Sequence, residues 1–153
     1  MKIRGNNNGF SRGSSLVEVT IALVVFAITV LGAAYYRYLT TLDVRRARDM
    51  LAGADLAMTF METWQGTDGS ETFDPENEFS AYMDISSSAG ASTPDGYNLL
   101  DANSVDVAGR TYHATLYWVD TESDLRELGT AVSWPIGNED QRKTYQLTTY
   151  VRR

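Results

Sequence analysis

Between Leu16 and Tyr36 lie 21 residues that carry a single charged side chain, Glu18. At about 1.5 Å of rise per residue a helix of that length spans about 31 Å. That matches the hydrocarbon core of a bilayer, about 30 Å thick. The apolar core of a secretory signal is shorter, about 7–15 residues, and ends near a small-x-small cleavage site. Here Ala33-Ala34 runs into Tyr35-Tyr36-Arg37, the aromatic and basic grouping of an interfacial anchor. Burying such a helix in a soluble protein takes a large surrounding domain, which a chain of 153 residues does not supply. The run reads as a membrane-spanning helix.

The remaining residues fall into zones around it. Residues 1–13, MKIRGNNNGFSRG, are polar and basic, with Lys2, Arg4 and Arg12 and no acid. Residues 14–36 form the apolar helix, and residues 37–65 continue it as an amphipathic helix. In that continuation Ala47, Met50, Leu51, Ala54, Ala57, Met58, Met61 and Trp64 recur at spacings of three and four, one apolar stripe among charges. Gly66 is a natural stop. Residues 66–153 form a head. Its first part, 66–103, is rich in Gly, Ser, Asp and Asn with Pro75 and Pro94, and reads mainly as loops, with a short ordered piece around Phe79–Ile85.

From Ser104 onward polar and apolar residues alternate. Ser104–Val107 and Arg110–Asp120 flank Ala108-Gly109, a hairpin-like turn. Tyr112, Ala114, Leu116 and Trp118 share one face of the second strand. Leu128, Thr130, Val132 and Trp134 mark the next strand, and Tyr145, Leu147, Thr149 and Val151 the last, with polar loops at 121–127 and 137–142. The expected fold is α+β. A long amino-terminal helix, membrane-spanning then amphipathic, packs its stripe on an antiparallel sheet of three to four strands.

Charge and residue types exclude several functions. Of the 20 acids only Glu18 precedes Tyr36, and the net charge is −7, so the distal region repels phosphate backbones and no nucleic-acid partner is expected. The one dense basic spot, Arg45, Arg46 and Arg48, suits headgroups, acids on neighbouring subunits or a solvated helix face. Without cysteine there is no disulfide, thiol nucleophile or thiolate metal site. His113 is the only histidine, which argues against a metal centre or a catalytic triad and for a surface or packing role. Asp68, Glu71, Asp74, Glu76 and Glu78 offer oxygen ligands that suit calcium, but their spacing matches no calcium loop and reads as a solvated connection, as do Asp120, Glu122 and Asp124. Trp64, Trp118 and Trp134 read as core anchors. No enzymatic set, cofactor or metal is expected.

The segment that carries function is Arg12-Gly13-Ser14-Ser15-Leu16-Val17-Glu18. A carboxylate inside a membrane run costs roughly 2.5–3.5 kcal/mol near the helix centre and less towards its end. Glu18 has no basic partner within its own apolar run. Cutting the chain after Gly13 makes Ser14 a new terminus with a positively charged amine and Glu18 the fifth residue of the product. In a bundle of copies that amine can meet Glu18 of a neighbour, neutralising two unfavourable charges and fixing axial register. A cut after Gly9, ahead of Phe10, puts Ser14 rather than an acid at the fifth place.

This segment resembles the cleavage and methylation motif of type IV prepilins and type II secretion pseudopilins: a glycine before the cut, an acid fifth after it, and about twenty apolar residues. Gly13, Glu18 and the run from Leu16 match; Ser14 stands where the family usually has phenylalanine. In the tail, Ala131-Val132-Ser133-Trp134-Pro135, a polar loop, then Tyr145-Gln146-Leu147-Thr148-Thr149 is similar to the last hairpin of minor pilins and minor pseudopilins. The resemblance implies a minor structural subunit, processed at Gly13–Ser14 by prepilin peptidase. It implies as partners the peptidase, other pilins or pseudopilins, assembly platform proteins and inner-membrane lipid. It also implies a periplasmic head, which the basic residues on both sides of the span do not decide. A second reading keeps the chain as a single-pass membrane protein whose head binds a periplasmic partner without polymerising.

Overall fold

A computed structural model describes residues 16–88, 92–136 and 138–152. Its elements are α1 (Leu16–Gly66), α2 (Pro75–Phe79), β1 (Asp84–Ser87), β2 (Asn98–Val107), β3 (Arg110–Glu122), β4 (Leu125–Ile136) and β5 (Asn138–Arg152). The strands form one sheet in the order β1-β2-β3-β4-β5, each pair antiparallel. The fold is α+β, and the sheet has five strands rather than three to four.

Two units divide the chain, one ending at Val44 and one beginning at Arg45. In the first, α1 is long and apolar enough to cross a membrane, and no residue from Leu16 to Thr41 is buried. In the second, the distal part of α1 buries Gly53, Leu56, Ala57, Phe60, Met61 and Trp64 against the sheet. This is the spacing of three and one that places residues on a single helix face. It corrects the expected stripe. Ala57, Met61 and Trp64 lie in it, Ala54 is half-buried, and Ala47, Met50, Leu51 and Met58 are exposed. The helix is apolar on two adjoining sides here, and the sheet takes the side that carries Phe60 and Leu56.

The sheet's inner face follows the expected alternation. Tyr112, Ala114 and Leu116 from β3 and Leu128, Val132 and Trp134 from β4 are buried; Leu147 and Val151 of β5 pack at the margin. Ala108 and Gly109 both have positive φ, 55° and 77°, as a two-residue hairpin that matches strand twist requires, and Asp106 Oδ1 accepts from the Gly109 amide at 2.9 Å.

Three expected loops carry more structure than their composition suggested. Asp74 caps α2 by accepting from the Asn77 amide at 3.1 Å, with Pro75 opening the helix, and Phe79 meets Phe60 edge-on at 5.2 Å. Strand β2 begins at Asn98, and a register irregularity between Leu99 and Asp101 breaks the alternation that would have revealed it. Strands β3 and β4 run on into the expected 121–127 loop, and β5 begins at Asn138 inside the expected 137–142 loop.

Candidate functional site

Within the apolar run, Thr20 and Thr29 satisfy their hydroxyls on the helix itself, donating to the Leu16 carbonyl at 2.6 Å and the Val25 carbonyl at 2.8 Å. Such back-bonding lets a hydroxyl enter lipid without an external partner. Glu18 has no such internal device. It is exposed, and among the described residues no ion pair involves it. Gly13 and Ser14, expected to frame the cleavage point, lie outside the described residues, so Glu18 is the one predicted site residue whose placement is seen.

The strongest electrostatic construction in the head is one that sequence reasoning missed. Arg126 is 1% exposed on the inner face of β4. Its Nε donates to Asp120 Oδ1 at 2.7 Å and its Nη2 to Glu71 Oε1 at 2.7 Å, while Nη1 donates to the Gly69 carbonyl at 3.0 Å. The guanidinium also lies 3.7 Å from the centroid of the Trp118 ring. The Asp120 hydrogen bond holds its pKa above the ordinary arginine value, outweighing the burial that pulls it down. Position 126 continues the inward series of Leu128, Thr130 and Val132 two residues earlier, a signal that its charge concealed.

Arg126 fixes the turn that ends α1. Trp64 Nε1 donates to the Ser70 carbonyl at 2.9 Å, and Gly69 has φ +66°. A Cβ at Gly69 would stand 2.7 Å from Val151 and 3.0 Å from Leu128, so glycine answers both the backbone angle and the close approach. Trp64 and Trp134 are buried as expected, and Trp118 is half-buried beneath Arg126.

Four of the acids weighed for calcium have other duties. Asp74 caps α2, Glu71 and Asp120 hold Arg126, and Glu76 accepts from Ser87 Oγ at 2.7 Å. Among the described residues no group of three or more metal-ligating acids or histidines is assembled. Arg45, Arg46 and Arg48 are all exposed. Asp49, next along α1, pairs with Arg110 of β3.

His113 lies half-buried on the outer face of the sheet, its Nδ1 3.1 Å from Ser104 Oγ. Burial, then the positive charge of Arg142, pushes its pKa below the ordinary histidine value. Farther along that face Tyr97 donates to Glu127 at 2.7 Å, which raises the phenol's pKa, and meets Tyr117 edge-on at 5.2 Å. The arrangement offers donors on a polar face and, on an apolar helix, one carboxylate with no ion-pair partner among the described residues. No family model, curated protein or solved structure matched this chain.

Proposed function

We propose that this protein is a structural subunit of a type IV pilus or type II secretion filament, a minor pilin or pseudopilin, cleaved between Gly13 and Ser14. The observation that carries the reading is Glu18: the one charged side chain in Leu16–Tyr36, on a helix long enough to span a bilayer and buried nowhere along that length. A lone anchor gains nothing from a carboxylate there, whereas a bundle of processed copies supplies an amine for each one. In this reading Leu16–Tyr36 serves first as membrane anchor and then as filament shaft, with Glu18 pairing with the Ser14 amine of a neighbour. The exposed Met50, Leu51 and Met58 support it further, because contiguous apolar residues off the sheet suit a neighbouring copy.

Intact-mass and amino-terminal analysis of the membrane-extracted protein, from cells with active prepilin peptidase, tests the proposal. A chain beginning at Ser14 supports it; a chain beginning at Met1 overturns it.

A further inference from the structure

The outer face of the sheet carries a feature that filament assembly does not use. In the two rows of β3–β5 that hold Thr115 and His113, most residues facing outward are short. Thr115 pairs with Ala131 and that residue with Gln146, while His113 pairs with Ser133 and that residue with Thr144. A water-facing sheet usually carries long charged side chains, and their lack opens a cleft of about 520 Å³ over these rows. A second hollow of about 410 Å³ adjoins it, sharing His113 and Arg142.

The chemistry of the walls is selective. The chain holds 20 acids, and apart from Glu139 and Asp140, whose side chains lie outside the description, no carboxylate lines either hollow. Asp106, on the same face at the end of β2, is engaged with the Gly109 amide. Glu127 lies six residues along β4 from Ser133, about 20 Å away at strand rise, beyond a Debye length of about 8 Å at physiological salt. Among the described side chains, what faces the cleft is one guanidinium, one imidazole and a set of hydroxyl and amide groups. Arg142 is exposed and has no ion-pair partner among the described residues, whereas Arg110 is tied to Asp49.

We propose that this cleft binds a hydroxylated organic anion such as a sugar acid or sugar phosphate. Arg142 holds the oxyanion, and Thr115, Ser133, Thr144 and Gln146 exchange hydrogen bonds with the hydroxyls. His113, whose pKa is lowered by burial and by Arg142, takes up a proton more readily once an anion offsets that charge. The inference stands apart from filament assembly, since it uses only the head.

His113 is the only histidine, so its imidazole resonance reports this cleft alone. The test is an NMR titration of full-length, histidine-labelled protein in detergent with glucuronate, glucose 6-phosphate, glucose and sodium chloride at matched ionic strength. A saturable shift with either sugar anion, a raised His113 pKa at saturation, and affinity about ten- to a hundredfold weaker in Arg142→Gln are expected. Arg152→Gln on the same strand should bind as wild type. A response to chloride equal to that of the sugar anions, an equal response to glucose, no saturation with either anion, or unchanged affinity in Arg142→Gln overturns the proposal.

Discussion

The Trp134 ring rests on the backbone of α1 at Gly53, so closely that a Cβ there would stand 2.6 Å from Cζ3. The ring is 3% exposed and wedged beside Tyr112, with ring centroids 5.9 Å apart, so it has little room to retreat. On helix propensity alone Gly53→Ala would stabilise α1 by about 1 kcal/mol. Overpacking a filled core costs about 1–3 kcal/mol, and the contact distance puts this site at the costly end. Gly53→Ala should lower stability by about 1–2 kcal/mol, seen as a drop of several degrees in the melting temperature of the full chain in detergent. Unchanged or raised thermal stability would show that the Trp134–Gly53 contact is slack.

The face that α1 turns to the sheet is tested by a pair of truncations. Phe60 is fully buried, whereas Leu51 is 63% exposed. Phe60→Ala should cost about 3–5 kcal/mol, and Leu51→Ala should stay within about 0.5 kcal/mol. Comparable losses at the two positions, measured by denaturant titration, would mean that the helix presents a different face.

That contrast also marks how far the fold could be read from residues. The alternation of Tyr112, Ala114 and Leu116, and of Leu128, Val132 and Trp134, showed both strands and their inward face, because period-two patterning and burial have one cause. Along Ala47–Trp64 two apolar stripes overlap, and periodicity alone does not choose between them. The choice depends on Trp134, whose ring fits only against a residue without a side chain, and such a long-range fit leaves no local trace. Of the candidate site, Glu18 was legible because a charge in an apolar run is conspicuous. Arg126 was not, because a charge inside a predicted polar loop looks ordinary until Asp120 and Glu71 are seen to converge on it.

Removing Arg126 leaves the buried Gly69 carbonyl without its donor, while Asp120 and Glu71, with side chains 38% and 50% exposed, can recover water. The loss therefore falls below the 3–5 kcal/mol of a pair stranded in a dry core. Arg126→Ala should cost about 2–4 kcal/mol, combining an unsatisfied carbonyl with a void over Trp118. Arg126→Met restores packing over Trp118 and should recover part of it. If denaturation finds neither variant destabilised, Arg126 is not the fastener between the α1 turn and the sheet.

The depressed pKa of His113 has a definite sign for stability. The folded state holds its proton less firmly than the unfolded chain, whose histidine titrates near pH 6.5. This contribution is fully present above that unfolded value and is lost as pH falls through the lower folded value. Among the residues whose side chains are described, the facing groups are Ser104 on β2, Ser133 on β4 and Arg142 on β5, and the nearest acid on that face, Asp106 at the end of β2, is held by the Gly109 amide. Between pH 7 and pH 5 the wild-type melting temperature should fall more than that of His113→Gln. Identical pH profiles would place His113 in solvent.

Glu18 gives the sharpest separation between assembly and mere anchorage. Replacing it with Gln or Ala removes a charge from the apolar run, so insertion into the bilayer becomes easier, by up to roughly 2.5–3.5 kcal/mol for a central position and less near the end. Failure of either variant to assemble therefore cannot be attributed to weaker membrane association. Cleavage at Gly13–Ser14 should persist in both, because the scissile bond and the apolar run are intact. Filaments recovered by shearing, or copies joined by cross-linking along Leu16–Tyr36, should fall at least tenfold in both. Gln should behave like Ala, because the amine of a neighbour needs a negative charge and not only an acceptor. Wild-type yields from the processed Ala variant would leave the carboxylate with no docking role.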